Sequence, residues 1–262
     1  MRVLYGGMFA SLLYSCEAWG DISHIEKELL GIERKALKAC MGVKQSVPND
    51  LVYAELNRPN IAAIMKDRQF SFFQKFLSLT EQDAVARKIW NGYSNDQSFP
   101  NKPKPFLNYY VNLEEENGKA CLESIHGRII TYDKTMDIRY RSLFDFTYNG
   151  VIYSTITNEN LRMLVTRWRL SCHKLHVETG RYKTPKTPKE SRFCKLCGVV
   201  EDEHHALFVC SAHHAIRLKF ADRLKWISVA DMLNPQSEND LMVVGEYLKE
   251  IENKMGVLEM CQ

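Results

Sequence analysis

Apolar positions recur at helical rather than alternating spacing along most of this chain. Leu29, Ile32, Leu37 and Met41 fall near helical spacing, with Lys27, Glu28, Arg34 and Lys35 turned outward, which predicts a helix with one buried face. Gly42 supplies its stop. QSVPND at 45–50 reads as a turn punctuated by Pro48 and Asn49. A second helix is expected from about Asp50 to a break near Arg58 and Pro59, and a third from about Ile61 to Leu79. The third carries Phe70, Phe72, Phe73 and Phe76, an aromatic stripe that reads as core rather than as a stacking platform. The uncharged run Val3 to Cys16 is short for a membrane span and is interrupted by Gly6, Gly7, Ser11 and Ser15. It reads as a buried helix rather than a secretory signal.

Further on, residues 91–105 (NGYSNDQSFPNKPKP) form the best linker candidate, and 106–116 the next helix. The stretch Asn160 to Leu175 has the clearest periodicity. Leu161, Leu164, Val165, Trp168, Cys172 and Leu175 make one apolar face. Arg162, Arg169, His173 and His176 recur at spacings that align them on a second, basic face. GRYKTPKTPKESR then reads as an extended basic connector. Helices are expected at about 212–226, with Ile216, Phe220 and Leu224 inward, and at about 238–255. The fold class is therefore mainly α: a multi-helix bundle followed by a helical region with a small zinc-knuckle-like module. The divisions fall at 1–90, 91–105, 106–190, 191–215 and 216–262.

Charge changes this picture in one place. The chain carries +3 in total. Between Leu161 and Lys195, ten Lys/Arg face only Glu178 and Glu190, so that segment carries +8 and the remainder −5. A positive stripe on a mildly acidic protein is the footprint of a nucleic-acid surface, although a charge run is also the ordinary mark of a solvated face. The candidate contacts are Arg162, Arg167, Arg169, His173, Lys174, Arg181, Lys183 and Arg192. Arginine forks match phosphate oxygens well. On this reading, Glu at positions 167, 169 and 181 abolishes binding without unfolding the chain.

FCKLCGVVEDEHHALFVC supplies the candidate chemistry. Cys194, Cys197, His205 and Cys210 read C-x2-C-x7-H-x4-C, and three thiols with one imidazole close a tetrahedral zinc shell. Such a shell leaves no open position, so the Zn2+ is expected to be structural. Leu207, Phe208 and Val209 are placed to pack beneath it. His204 is adjacent, and His213 and His214 lie one turn beyond Cys210. His205 is preferred for its spacing to Cys210. A redox CxxC pair is disfavoured because no βαβ pattern surrounds it. The other five Cys are scattered and no N-x-S/T acceptor occurs, which points to a reducing intracellular compartment, nuclear or cytoplasmic.

Four blocks carry a family resemblance: SLLYSCEAWG, IERKALKACMGVKQSVPNDLVYAELNRP, TRWRLSCHKLHVETGRY and CKLCGVVEDEHHALFVC. In order and spacing they resemble the region after the polymerase palm in non-LTR (LINE-type) retrotransposon reverse transcriptases. The resemblance covers most of residues 10–215. It implies a thumb and connector followed by a zinc module, in a protein that copies its RNA at a nicked DNA target. It also implies that Arg167, Arg169 and Arg181 lie against a primer–template duplex or element RNA. The chain departs from the family in two respects. The aromatic-Ala-Asp-Asp turn of a palm does not occur. The tail holds Asp222, Asp231 and Asp240 without a Pro-Asp…Asp endonuclease arrangement.

The expected role is a non-catalytic, C-terminal nucleic-acid-binding fragment with RNA, RNA–DNA hybrid or DNA duplex as partner. An upstream palm in the parent protein and no membrane belong to the same expectation. Two alternatives stay open: a zinc-stabilised helical module that binds protein, and an inactive relic of a transposon reading frame.

Overall fold

The computed structural model describes residues 7, 9–16, 23–85, 88, 121–125, 150, 152–235 and 237–260. The predicted linker at 91–105 and helix at 106–116 lie outside these residues. The chain divides into two compact units, residues 1–36 with 57–127 and residues 37–56 with 128–262. Among the described residues the secondary structure is helical, apart from one antiparallel bridge between Phe193 and Val200.

The first unit contains α1 (Phe9–Leu12), the N-terminal part of α2 (Ser23–Met41) and α4 (Ile61–Gln82). Its core is Phe9, Leu13, Cys16, Ile61, Ala62 and Met65, flanked by Leu29, Leu30 and Ala36 of α2. Asn60 caps α4 by accepting from Ala63 N at 2.9 Å. Glu33 accepts from Ile61 N at 3.0 Å and is wholly buried. This explains a departure from the expected α2 face. Ile32, read as inward, is 50% exposed, and Glu33 takes the core position because α4 needs an acceptor there. Along α4, Phe73 is buried and Phe72 is exposed, so the aromatic stripe is only partly core. Its polar neighbour Gln69 donates to Cys16 O at 3.0 Å and holds the turn that follows α1.

The second unit holds the end of α2 and α3 (Asn49–Leu56), then α5 (Ile152–Thr155), α6 (Glu159–Arg169) and α7 (His176–Thr179). It continues through α8 (His214–Lys219), α9 (Val229–Leu233) and α10 (Glu238–Met260). As expected, Gly42 ends α2. It takes φ +66, and Val43 N and Gly42 N donate back to Lys38 O and Ala39 O, both at 3.1 Å. Helix α6 packs along α10, which also meets α5 and α8. Leu161, Leu164, Val165 and Trp168 are buried, as the periodicity requires, and so are Cys172 and Leu175 beyond the helix end.

Helix α6 stops six residues before its expected end. Ser171 adopts φ 49, and Cys172 N donates to Arg167 O at 2.6 Å and Ser171 N to Trp168 O at 3.3 Å. This is the reverse-turn cap that usually takes Gly. The apolar rhythm continues through Cys172 and Leu175, which hides the break from a periodicity reading.

Arg169 is fully buried in this unit rather than displayed on a basic face. Its Nε donates to both carboxylate oxygens of Glu55, at 3.0 and 2.9 Å, and its Nη1 to Leu233 O and to Asn234 Oδ1. One guanidinium thereby joins α3, α6 and the end of α9. Burying both charges is costly, but removing one partner leaves the other uncompensated.

Arg169→Met is expected to destabilise the chain by about 3 kcal/mol or more, read from the urea midpoint by far-UV circular dichroism. Arg169→Met combined with Glu55→Leu is expected to recover most of that loss. A single mutant as stable as the wild type would contradict this role.

Candidate metal centre

The segment 193–210 makes two turns that face one another. In the first, Cys194 N donates to Val199 O at 2.7 Å and Gly198 N to Cys194 O at 2.8 Å. Gly198 sits at φ +68 with open space around it, so glycine is required there by backbone conformation and not by crowding. This tight hairpin holds Cys194 and Cys197 together.

The second turn is a π-helical turn, His205–Val209, closed by Cys210 N donating to His205 O at 2.7 Å. Asp202 starts it by accepting from His205 N at 2.8 Å. The far side of the turn is tied down by α8 and α10. Arg217 donates to Cys210 O at 2.7 Å, and the Tyr247 hydroxyl donates to Leu207 O. Leu207 is buried beneath the site as expected, whereas Val209 is exposed.

These turns bring one atom each of Cys194, Cys197, His205 and Cys210 within 4.8 Å of one another. The Cys194–Cys210 and Cys197–Cys210 sulfur pairs are each 3.9 Å apart. Tetrahedral coordination with metal–sulfur bonds of about 2.3 Å requires sulfurs about 3.8 Å apart. His205 Nε2 is buried without a hydrogen-bond partner, the state expected of a nitrogen whose lone pair is meant for a metal. The buried Cys3His group can therefore hold one metal ion.

The thiols sit in unequal surroundings. Burial, reinforced by Cys194 and Cys197 beside it, pushes Cys210 up to about 12. A hydrogen bond with Ser211 pulls Cys197 the other way. The Ser211 hydroxyl, 3.3 Å from Cys197 Sγ, supports one sulfur from outside the ligand set.

The neighbouring histidines are occupied otherwise. His204 is exposed and lies against Phe208, with ring centroids 5.6 Å apart. His213 is buried, and its Nδ1 donates to Ala206 O at 2.9 Å. Burial holds its pKa down, so it serves as a neutral strut.

The candidate nucleic-acid contacts separate into two groups. Arg169 and His173 are buried and correct the two-sided helix of the sequence reading. His173 Nε2 lies 2.7 Å from Glu203 Oε1, so this imidazole is committed to the acid beside the metal module. Arg162 donates to Ile156 O at 3.3 Å, and Arg167 is 3.5 Å from Glu252. Arg181 is half-buried and 3.5 Å from Glu178. Lys174 and Lys183 are exposed. Arg192 donates to Thr187 O at 2.9 and 2.7 Å and to Val177 O at 2.6 Å. It folds the connector back on α7, so GRYKTPKTPKESR is not extended throughout and contains short 3-10 turns at Gly180–Tyr182 and Lys189–Ser191.

Sequence reasoning passed over the acids between the ligand pairs. Glu201 accepts from His176 N at 2.8 Å, and its carbonyl accepts from Val177 N at 3.1 Å, which docks the metal module on α7. The visible signal was the run Glu201-Asp202-Glu203 set between ligands. Comparison with protein-family models, curated proteins and solved structures finds no match.

His205→Ala and Cys197→Ser are expected to lose the bound metal and the order of residues 190–212, whereas His204→Ala retains one ion per chain. Metal content by elemental analysis, with far-UV circular dichroism, measures both. Full occupancy in His205→Ala would reject the ligand set.

Proposed function

We propose that the Cys3His group holds one structural zinc ion and that the cationic surface of the adjoining connector binds nucleic acid. Zinc suits a set of three soft thiolates and an imidazole, and the closed shell gives the ion no place for substrate. The observation that carries the binding role is the exposure of Lys174, Lys183, Lys186 and Lys189 in a segment that packs against the metal module. The exposed acid among them is Glu190. The resemblance to the post-palm region of non-LTR reverse transcriptases supports the same reading and suggests RNA or a primer–template duplex as partner. The sequence holds no aromatic-Ala-Asp-Asp tetrapeptide, and the reading assigns this chain no polymerase or nuclease chemistry.

A second reading, a protein-binding module, draws on the exposed apolar side chains of Leu196, Val199 and Val209 around the metal site. Salt separates the two. Phosphate contacts release counterions and weaken steeply with ionic strength, whereas apolar docking does not.

Since Arg169 is a core residue, the informative variant is Lys183→Glu with Lys186→Glu and Lys189→Glu. It is expected to keep its metal and to lose most affinity for a structured RNA and for an RNA–DNA hybrid, measured by fluorescence anisotropy. For the wild type, three or four phosphate contacts correspond to a logarithmic salt slope of about −3. Salt-independent self-association without nucleic-acid binding would favour the second reading.

A further inference from the structure

The connector and the metal hairpin enclose a feature that simple cationic attraction does not require. A cavity of about 210 Å³ lies between them, lined by Lys183, Thr187, Ser191, Arg192, Phe193 and Lys195. Carbonyl oxygens, not carboxylates, take the N–H groups of Arg192, so its position is fixed while its charge remains to act on the cavity. Thr187 and Ser191 add polar groups beside three cationic side chains. Phe193 forms one wall and is 49% exposed.

The place of Phe193 in the chain makes that exposure informative. Its backbone pairs with Val200 at the open end of the metal hairpin, and its carbonyl lies 2.9 Å from His176 Nδ1. The residue is thus anchored at both sides through its backbone while its ring stays at the surface. An exposed aromatic ring on an anchored backbone, beside cationic side chains of which Arg192 is held by hydrogen bonds, matches the chemistry of one nucleotide, with an anionic phosphate and a flat base. In a duplex, base faces are already stacked and only edges and phosphates are offered.

We propose that this cavity receives one nucleotide of an unpaired strand, its phosphate against Lys183, Arg192 and Lys195 and its base stacked on Phe193. The inference rests on the nucleic-acid reading above and narrows it: the surface prefers single-stranded over duplex nucleic acid. An acidic peptide would satisfy the cations but leave the ring without a stacking partner, so the chemistry favours the nucleotide.

The test uses the metal-loaded full chain and fluorescence anisotropy. The probes are a labelled single strand of about twelve nucleotides, a duplex of matching length and a labelled polyglutamate. The wild type is expected to bind the single strand about tenfold more tightly than the duplex. Phe193→Ala should lower single-strand affinity about tenfold, leave duplex affinity unchanged and retain the metal, while Phe193→Tyr preserves single-strand binding. Should Phe193→Ala lose metal, Phe193→Leu keeps an apolar side chain and still removes the stacking face, so the same tenfold loss is required of it.

Equal, salt-dependent binding of single strand and duplex, unaffected at Phe193, would overturn the proposal and leave the nucleic-acid reading intact. Binding of polyglutamate as tight as that of the single strand, also unaffected at Phe193, would overturn it in favour of an acidic partner. Absence of binding to either nucleic acid would overturn both the proposal and the reading on which it rests.

Discussion

Three thiols and an imidazole gathered within 4.8 Å of one another form a group that can hold one metal ion. The segments that carry them are tied into the second unit between residues 176 and 217 and by Tyr247. The hairpin that carries Cys194 and Cys197 is docked on α7 through Glu201, and the turn that carries His205 and Cys210 is braced by Arg217 and Tyr247. A metal ion held by the four ligands would cross-link the two turns, in the way small modules rely on a bound ion.

A second constraint, the Arg169–Glu55 pair, joins α3, α6 and the end of α9 within the same unit. It joins residues 114 positions apart and consumes a cation that looks free in the sequence. The strongest run of positive charge in the chain thus serves two ends. Its early members, Arg162, Arg167 and Arg169, are engaged with α5, α10 and α3, whereas the lysines of the connector remain at the surface. Exposed positive charge is accordingly concentrated in the connector next to the metal site.

Much of this was legible in the sequence where the governing interaction is local. The ligand spacing marked Cys194, Cys197, His205 and Cys210, and helical rhythm marked the buried face from Leu161 to Trp168. Gly42 was readable as a stop because a positive φ selects glycine. Legibility failed where the partner is distant or the local rule is broken. Glu33 and Arg169 are buried by acceptors and donors on other helices, which no window of sequence contains. Ser171 ends α6 in a conformation usually left to glycine, and the apolar positions beyond it continue as if the helix did.

The coordination shell itself is the most direct measure of this account. X-ray absorption at the zinc edge of the purified chain is predicted to show three sulfurs at about 2.3 Å and one nitrogen at about 2.0 Å, with no oxygen in the shell. A shell containing water oxygen, or fewer than three sulfurs, would contradict a closed structural site at Cys194, Cys197, His205 and Cys210.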